Sequence, residues 1–411
     1  MPTTALQRHQ EFSCGFRTHL ASRGLSESLV RSGVEPLAIY LFSELPVTHR
    51  SQKSPILIGG PPCQAYSLVG RARNKGIGDY DAASDHRHFL YREYIRIVGL
   101  TQPVAFVMEN VKGMLSAKVN GVRLIDQIVT DLRGAGGTPD SYVLIPLAGD
   151  DRDGASAHII RSESFGVPQC RHRVIFLGIR KDVYQRCERD RVAPMKLQPA
   201  ENRLTVEDVL HGMPRLRSGI SRSSDADEAW RNIVEHAYRD ASEACRVDGT
   251  WLSEVSSRLT AQAERLVESG EVPPRISRQL APLANNALSD WLIDDCLPVL
   301  PNHESRGHMA ADLARYAFAS VFAEVFGRSP KAEDFPQALA PEHRSWTSGK
   351  FADRFRVQMW HAPSTTVTSH ISKDGHYFIH PDPSQCRSLA ASAAKVNALS
   401  SIAGTRWSRH T

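Results

Sequence analysis

From about residue 54 onward, short apolar runs alternate with amphipathic stretches, and this alternation constrains the fold more than any other feature of the chain. Pro55 to Gly60 predicts a buried strand that ends in a glycine turn, and residues 86–101 place apolar side chains at helical spacing. Val104 to Met108 predicts a second buried strand, and residues 122–132 predict a second helix. Two further strands are predicted at Tyr142 to Leu147 and Val174 to Ile179. Strands that alternate with helices in this way predict an α/β domain.

The character of the sequence changes after about residue 205. Residues 225–270 are charged and rich in alanine, which predicts helix, and Met309 to Phe326 predicts another helix. Residues 364–379 are rich in threonine and again favour β-structure. We therefore expect a mainly helical region to be inserted into the α/β domain.

Composition narrows the class of protein. Hydrophobic residues make up 41% and charged residues 23%, as is typical of globular chains. No apolar run approaches the ~18 residues that span a bilayer, and Met1 to Gln10 lacks the apolar core of a signal peptide. The seven cysteines are scattered without a C-x-x-C pair, which excludes a disulfide framework and a zinc ribbon. We expect a cytoplasmic protein with neither a membrane partner nor a metal site.

The net charge of +5 is concentrated in the first part of the chain. Residues 1–180 carry 21 Lys and Arg against 16 Asp and Glu, whereas the remaining residues are balanced. A basic surface is typical of proteins that bind polyanions, although many ordinary enzymes carry a similar charge. Charge alone therefore leaves nucleic acid binding open.

Two motifs at the ends of neighbouring predicted strands could carry chemistry. Cys63 follows the first strand in the stretch Gly-Gly-Pro-Pro-Cys-Gln, where two prolines restrict the backbone at the rim on which α/β folds bind ligands. Glu109, in Glu-Asn-Val, ends the next strand and is a candidate proton donor. Cys63 is equally consistent with a buried structural thiol, and Glu109 with a carboxylate at a helix N-terminus.

A third motif, Gln-Cys-Arg-His-Arg, precedes the strand that begins at Val174. Alternation along an extended backbone would place Gln169, Arg171 and Arg173 on one face. Arginines in such a row can bind a carboxylate or a phosphate through two parallel hydrogen bonds. A solvated strand edge is the other interpretation of the same pattern.

Together the three motifs resemble those of the DNA cytosine-5 methyltransferase family. Pro62-Cys63-Gln64 is similar to the family's nucleophile motif, Glu109-Asn110-Val111 to its Glu-Asn-Val motif, and Gln169-x-Arg171-x-Arg173 to its Gln-x-Arg-x-Arg motif. Arg87 and Leu90 stand where the family has a short Arg-x-x-Leu segment. The resemblance implies a Rossmann-like S-adenosylmethionine-dependent methyltransferase domain, present in part, with a mainly helical inserted target-recognition region.

The resemblance also assigns limits to each part of the chain. Residues 1–205 would form the catalytic α/β domain and residues 206–355 the variable target-recognition region. Residues 356–411 would return to the catalytic domain and end in a degenerate tail.

The resemblance gives the motif residues roles in a reaction on double-stranded DNA. Cys63 would add to carbon 6 of a flipped-out cytosine, while Glu109 protonates or hydrogen-bonds ring nitrogen 3. Arg173 would position the base and Glu109, Arg171 would support the pocket, and Gln169 of the same motif is the fifth expected catalytic residue. Pro62 and Leu90 match positions that contact S-adenosyl-L-methionine, the methyl donor. The residues expected to contact DNA are Gln64, Ser67, Arg71, Arg73, Lys75 and Arg87.

The sequence also departs from the family pattern. Residues 1–53 contain no Phe-x-Gly-x-Gly loop, and Arg387-Ser388-Leu389 begins a late family motif that the following alanines do not continue. The donor site is therefore expected to be incomplete. Two alternatives stay open: one part of a split methyltransferase that a complementing polypeptide completes, and a non-catalytic DNA-binding remnant. A zinc deaminase is excluded because Tyr66 stands where its second cysteine ligand belongs. A restriction endonuclease is a further expected partner.

Overall fold

A computed structural model describes residues 55–62, 90–119, 121–149, 151–190, 196–222, 224–279, 299–300, 303–342, 346, 354–366 and 375–388. The chain divides into two compact units. The first comprises residues 1–160 and 172–197, and the second comprises residues 161–171 and 198–411.

The first unit is built on a mixed sheet of five strands. Its main path runs, in spatial order, through β1 (Ile56–Gly59), β2 (Ala105–Val111), β8 (His172–Arg180) and β5 (Tyr142–Ile145). Strand β1 is parallel to β2, whereas β8 is antiparallel to both β2 and β5. The fifth strand, β6 (Ile159–Arg161), pairs with β8, and the short strands β3 (Lys118–Val119) and β4 (Val122–Arg123) pair with each other.

Helices cover one face of this sheet. The two helices that do so are α1 (Tyr91–Thr101) and α2 (Leu124–Arg133). A third helix of this unit, α3 (Lys181–Arg189), follows β8 directly. Along β2, Phe106, Met108 and Asn110 are buried while their neighbours are partly exposed, so the period-2 pleat directs these three side chains to one face. Phe106 and Met108 belong to the core cluster that the two helices contribute to.

The strands predicted in this region are present, with limits that differ by a few residues. The prediction that β1 is buried was only half right, because Leu57 is buried while Ile56 and Ile58 are exposed. Helix α2 starts at Leu124 rather than at Val122, because Val122 pairs with Val119 in a hairpin. The helix predicted from residue 86 is described only from Tyr91 onward.

The second unit packs around three long helices, which confirms the helix predictions for residues 225–270 and 309–326. They are α5 (Asp227–Asp248), α6 (Ser253–Ser269) and α7 (Ala310–Phe326), preceded by the short α4 (Val206–Leu210). Helix α7 lies at the centre of the core, because 11 of its 17 residues are buried and a helix that is apolar all round belongs in the interior.

Two pairs of short parallel strands complete the second unit, β7 (Gln169–Cys170) with β11 (Ser364–Thr365) and β9 (Gly219–Ile220) with β10 (Gly307–His308). The 3-10 turns of the two units are at Lys112–Ser116, Asp151–His158, Ser162–Phe165, Thr250–Leu252, Ala332–Asp334, Gln337–Leu339, Gly375–Tyr377 and Pro383–Gln385.

The prediction that Gln169, Arg171 and Arg173 line one face of one strand was wrong. Gln169 belongs to β7, which pairs with β11, whereas Arg173 belongs to β8, which pairs with β2. Between them the N–H of Arg171 donates to the carbonyl of Gln169 at 2.9 Å, and this tight turn interrupts the extended backbone.

The segment 364–379 forms less β-structure than its threonines predict. Of its described residues, only Ser364 and Thr365 form a strand, Gly375–Tyr377 forms a 3-10 turn, and Ile379 makes isolated bridges to Val357 and Ser388. Val357 and Ile379 belong to the core of the helical unit. The structure thus groups these described residues with the second unit, and the proposed limits at 205 and 355 stay predictions.

Candidate active site

The ends of β2 and β8 bring the side chains of Glu109 and Arg173 together. Glu109 is paired in register with Ile175, so Arg173 is its diagonal neighbour on the same face of the sheet. The Nε of Arg173 lies 2.7 Å from Oε1 of Glu109. The Glu109 side chain is 42% exposed and that of Arg173 19% exposed, so the arginine anchors a carboxylate that a ligand can still reach.

The glycine turn after β1 lies directly against this carboxylate. A Cβ atom added to Gly60 would lie 3.2 Å from Oε2 of Glu109, closer than most side-chain contacts. Gly59, one residue earlier, is paired in register with Met108, the neighbour of Glu109. The parallel pairing of β1 with β2 therefore sets the start of the Gly-Pro-Pro-Cys stretch beside Glu109.

Asn110 connects the two strand ends. Its side chain is buried, and its Nδ2 donates to the carbonyl oxygen of Pro61 at 3.1 Å. Its Oδ1 accepts a hydrogen bond from the N–H of Val111 at 2.9 Å. From the sequence, Asn110 was predicted only as part of the Glu-Asn-Val motif, without a role of its own. Its position directly after Glu109 in that motif is the one feature of the sequence that could have indicated a role.

Several predicted site residues lie outside the described residues: Cys63, Gln64, Ser67, Arg71, Arg73, Lys75 and Arg87. Pro62 and Leu90, the two predicted donor contacts, are both partly exposed. Of the predicted catalytic residues, the structure therefore brings together Glu109 and Arg173, next to the turn that precedes Cys63 in the sequence.

Gln169 and Arg171 belong to the second unit. Gln169 is buried on β7, and its carbonyl accepts a hydrogen bond from the hydroxyl of Ser162. Thr366 donates its hydroxyl to the carbonyl of Cys170 at 2.6 Å, which ties the motif to the segment that follows β11. These contacts fix the backbone of Gln169 and Cys170 within the second unit.

Three of the described cysteines are poor candidates for a nucleophile. Burial raises the pKa of the Cys170 thiol, and it raises the pKa of both Cys245 and Cys386 to about 12. A thiol with a raised pKa holds less thiolate at neutral pH, and thiolate is the reactive form. The desolvated thiols of the described residues thus do not compete with Cys63 for this role.

The described residues contain neither a candidate metal site nor a candidate membrane span. No group of three or more His, Cys, Asp or Glu side chains there could hold a metal ion. None of the helices described has the length and apolar character needed to cross a bilayer.

Comparison with known proteins identifies the family. The C-5 cytosine-specific DNA methylase family matches residues 48–268, which is more than half of the chain. The chain belongs to this family.

Curated relatives agree with the family. Type II methyltransferase M.Bpa9945I of Bacillus paralicheniformis is 32% identical over 348 residues, which cover 84% of this chain and 62% of the relative. Type II methyltransferase M1.HphI of Haemophilus parahaemolyticus is 33% identical over 33% of this chain and 29% of its own length. Type II methyltransferase M.AquIA of Picosynechococcus is 35% identical over 30% of this chain and 43% of its own length. The chain thus matches less than two thirds of each of these relatives.

Proposed function

We propose that this chain activates a cytosine in double-stranded DNA for methylation at carbon 5, with Cys63 as the nucleophile and Glu109 as the proton-handling group. The observation that carries the proposal is the contact between Arg173 and Glu109 at 2.7 Å, next to the turn that leads to Cys63. Family membership supplies the reaction type, and the relatives are named type II methyltransferases.

Chain connectivity supports a role for Cys63 at this site. Cys63 is the third residue after Gly60, and consecutive α-carbons are 3.8 Å apart, so the α-carbons of the two residues lie at most ~11 Å from each other. A Cβ atom added to Gly60 would lie 3.2 Å from Oε2 of Glu109, so the Gly60 backbone is close to this carboxylate. A pyrimidine ring with its hydrogen bonds spans a comparable distance, so one base can contact both side chains.

In the proposed reaction the thiolate of Cys63 forms a bond to carbon 6 of the base. The electron pair of the 5,6 double bond moves towards carbon 5, and ring nitrogen 3 takes up a proton that Glu109 delivers. Arg173 holds Oε1 of Glu109, while Oε2 faces the turn before Cys63. Loss of the proton at carbon 5, expulsion of the Cys63 thiolate and return of the nitrogen 3 proton to Glu109 restore the aromatic base.

The methyl group would come from S-adenosylmethionine, the donor that the family implies. Of the residues described in the first unit, Pro62 and Leu90 stand at positions expected to touch this donor, and neither carries a charge that could hold its ribose or its carboxylate. These described residues do not form a donor site by themselves. We therefore propose that other parts of a complete enzyme, in this chain or in a complementing polypeptide, hold the donor.

The remaining predictions belong to the same proposal. The first unit would be a Rossmann-like methyltransferase domain, and the helical second unit its inserted target-recognition region. Gln169 and Arg171 would support the base pocket, and the DNA contacts would come from Gln64, Ser67, Arg71, Arg73, Lys75 and Arg87. A restriction endonuclease is the expected biological partner, and the cytoplasm the expected location.

Base activation can be tested without the methyl donor. Addition of Cys63 to carbon 6 lets carbon 5 take up a proton from water, and reversal then releases the original hydrogen. Duplex DNA with tritium at carbon 5 of every cytosine should therefore lose tritium to water when the chain is added. We expect Cys63→Ala to abolish the release and Glu109→Gln to slow it by roughly 10²- to 10⁴-fold, the usual effect of a positioned acid or base.

Cys187→Ala is the matched control, because Cys187 is a free thiol on α3 of the same unit. This variant should release tritium at the rate of the unmodified chain. DNA that is bound without any tritium release would favour the DNA-binding remnant instead. Release that survives Cys63→Ala would show that another group is the nucleophile.

A further inference from the structure

Tyr94 lies at the point where β1 and β2 approach the candidate active site. It is a buried residue of α1, and its hydroxyl donates to the carbonyl oxygen of Val107 on β2 at 2.9 Å. The same hydroxyl lies 3.5 Å from the carbonyl oxygen of Leu57 on β1. One side chain of the helix layer thus touches both of the strands whose ends form the site.

The ring of Tyr94 also lies against Gly59. A Cβ atom added to Gly59 would lie 2.8 Å from Cε2 of Tyr94, a distance that real side chains do not show. Only glycine lets the backbone come this close to the ring. The position of the turn before Cys63 therefore depends on where the ring of Tyr94 lies.

We infer that Tyr94 is a positioning residue for base activation, an inference that rests on the proposed function. Its hydrogen bond fixes β2 two residues before Glu109, and its ring fixes β1 one residue before the Gly60 turn. The side chain thereby sets the spacing between Glu109 and the backbone that carries Cys63. Because small misplacements of reacting groups slow catalysis strongly, this spacing controls the rate.

Tyr142 is a matched control. It is also buried in the same core, its hydroxyl donates to the carbonyl oxygen of Pro103 at 2.8 Å, and both tyrosine rings pack against Phe106. Pro103 lies two residues before the first residue of β2, whereas Val107 lies within β2, two residues before Glu109. The two tyrosines make the same kind of bond, but only that of Tyr94 is to a residue within β2.

The experiment compares Tyr94→Phe with Tyr142→Phe in the full chain. Both substitutions remove one buried hydrogen bond and keep the ring, so both should lower the melting temperature by similar amounts. Tyr94→Phe should slow tritium release from DNA labelled at carbon 5 of cytosine by about tenfold, with an unchanged KM for DNA. Tyr142→Phe should leave the release rate within about twofold of the unmodified chain.

A second measurement keeps the inference separate from the proposed function. Amide hydrogen exchange in peptides that cover residues 56–62 and 107–111 should rise in Tyr94→Phe and stay unchanged in Tyr142→Phe. If the unmodified chain releases no tritium, the proposed function is wrong. In that case the hydrogen-exchange pattern alone decides whether Tyr94 fixes the strand ends. Equal rates of release in the two variants, or equal exchange at the strand ends, would overturn the inference.

Discussion

The amide of Asn110 is satisfied at both ends inside the protein, and its donor end holds the turn before Cys63. Asn110→Asp keeps an acceptor for the N–H of Val111 but, when ionised, sets a negative charge against the carbonyl oxygen of Pro61. A buried polar group without its partner costs ~1–3 kcal/mol, and burial raises the pKa of such a carboxyl group. We expect Asn110→Asp to be destabilised by about this amount at neutral pH and to release tritium more slowly.

Acidification should partly reverse the effect of Asn110→Asp. Once protonated, the new carboxyl group can donate to Pro61 as the amide does, so the ratio of variant to unmodified release rate should rise as the pH falls. The control is Gln102→Glu. The side-chain amide of Gln102 donates to the carbonyl oxygens of Gly99 and Gly136, and Gln102 lies three residues before the first residue of β2. A pH-independent ratio for Asn110→Asp, or the same response in Gln102→Glu, would contradict the role given to Asn110.

At the same scale, the sequence motifs indicated Glu109 and Arg173 but not the side chains that hold them. Glu109 and Arg173 are recognisable because their residue types and spacing match a known reaction. Tyr94 could be predicted only as part of the buried face of a helix, because nothing local distinguishes a hydroxyl that reaches a strand carbonyl from one that points to water. Its role depends on Val107 and Gly59, which the fold brings to it.

At the scale of elements, strands and helices were predictable where one periodicity continued over many residues. Buried runs such as β2 and the long helices of the second unit have this property. The break between β7 and β8 has no such signal in the sequence, because the alternation of side chains continues across Cys170. What separates the two strands is the pairing of Gln169 with Ser364, almost two hundred residues later in the chain. Strand register set by so distant a partner leaves no local signal.

The packing of β10 on α7 makes the stability of the helical unit sensitive to pH. The ring of His308 lies edge-on to Tyr316 at 5.0 Å, and burial lowers the pKa of His308 to about 4. The nearby groups of His376, Arg306 and Arg387 contribute to this lowering in the same direction. His308 is thus neutral in the folded chain under conditions in which an unfolded histidine takes up a proton.

The sign of the pH effect follows from these two states. Between about pH 6.5 and pH 4 the unfolded chain binds a proton at His308 that the folded chain does not, so stability falls as the pH falls. The contribution of His308 is ~1.4 kcal/mol per pH unit in this window. We expect His308→Gln to reduce the pH dependence of the unfolding free energy by about one proton, as measured by denaturant titration. His236→Gln, on the exposed side of α5, is the control and should leave the slope unchanged.

At the scale of the whole molecule, the two halves of the proposed reaction are unequally represented in the described residues. The half that would activate the base has a carboxylate, its arginine and the turn before Cys63 in one unit. The half that would hold the donor has Pro62 and Leu90, and residues 1–53 contain no Phe-x-Gly-x-Gly loop. Activation of the base and binding of the donor should therefore be separable in this chain.

The separation predicts how the chain alone responds to S-adenosylmethionine. Each missing hydrogen bond to a charged group is worth roughly 1.5–3 kcal/mol, so two or three of them weaken a micromolar site to millimolar or beyond. We expect calorimetry to detect no binding of S-adenosylmethionine to the 411-residue chain, and no methyl transfer to DNA, unless a complementing polypeptide is added. Tritium release, which needs no donor, should proceed in the same preparation. Tight donor binding by the chain alone would show that residues outside the described ones build a complete donor site. A complementing polypeptide would then not be needed for donor binding.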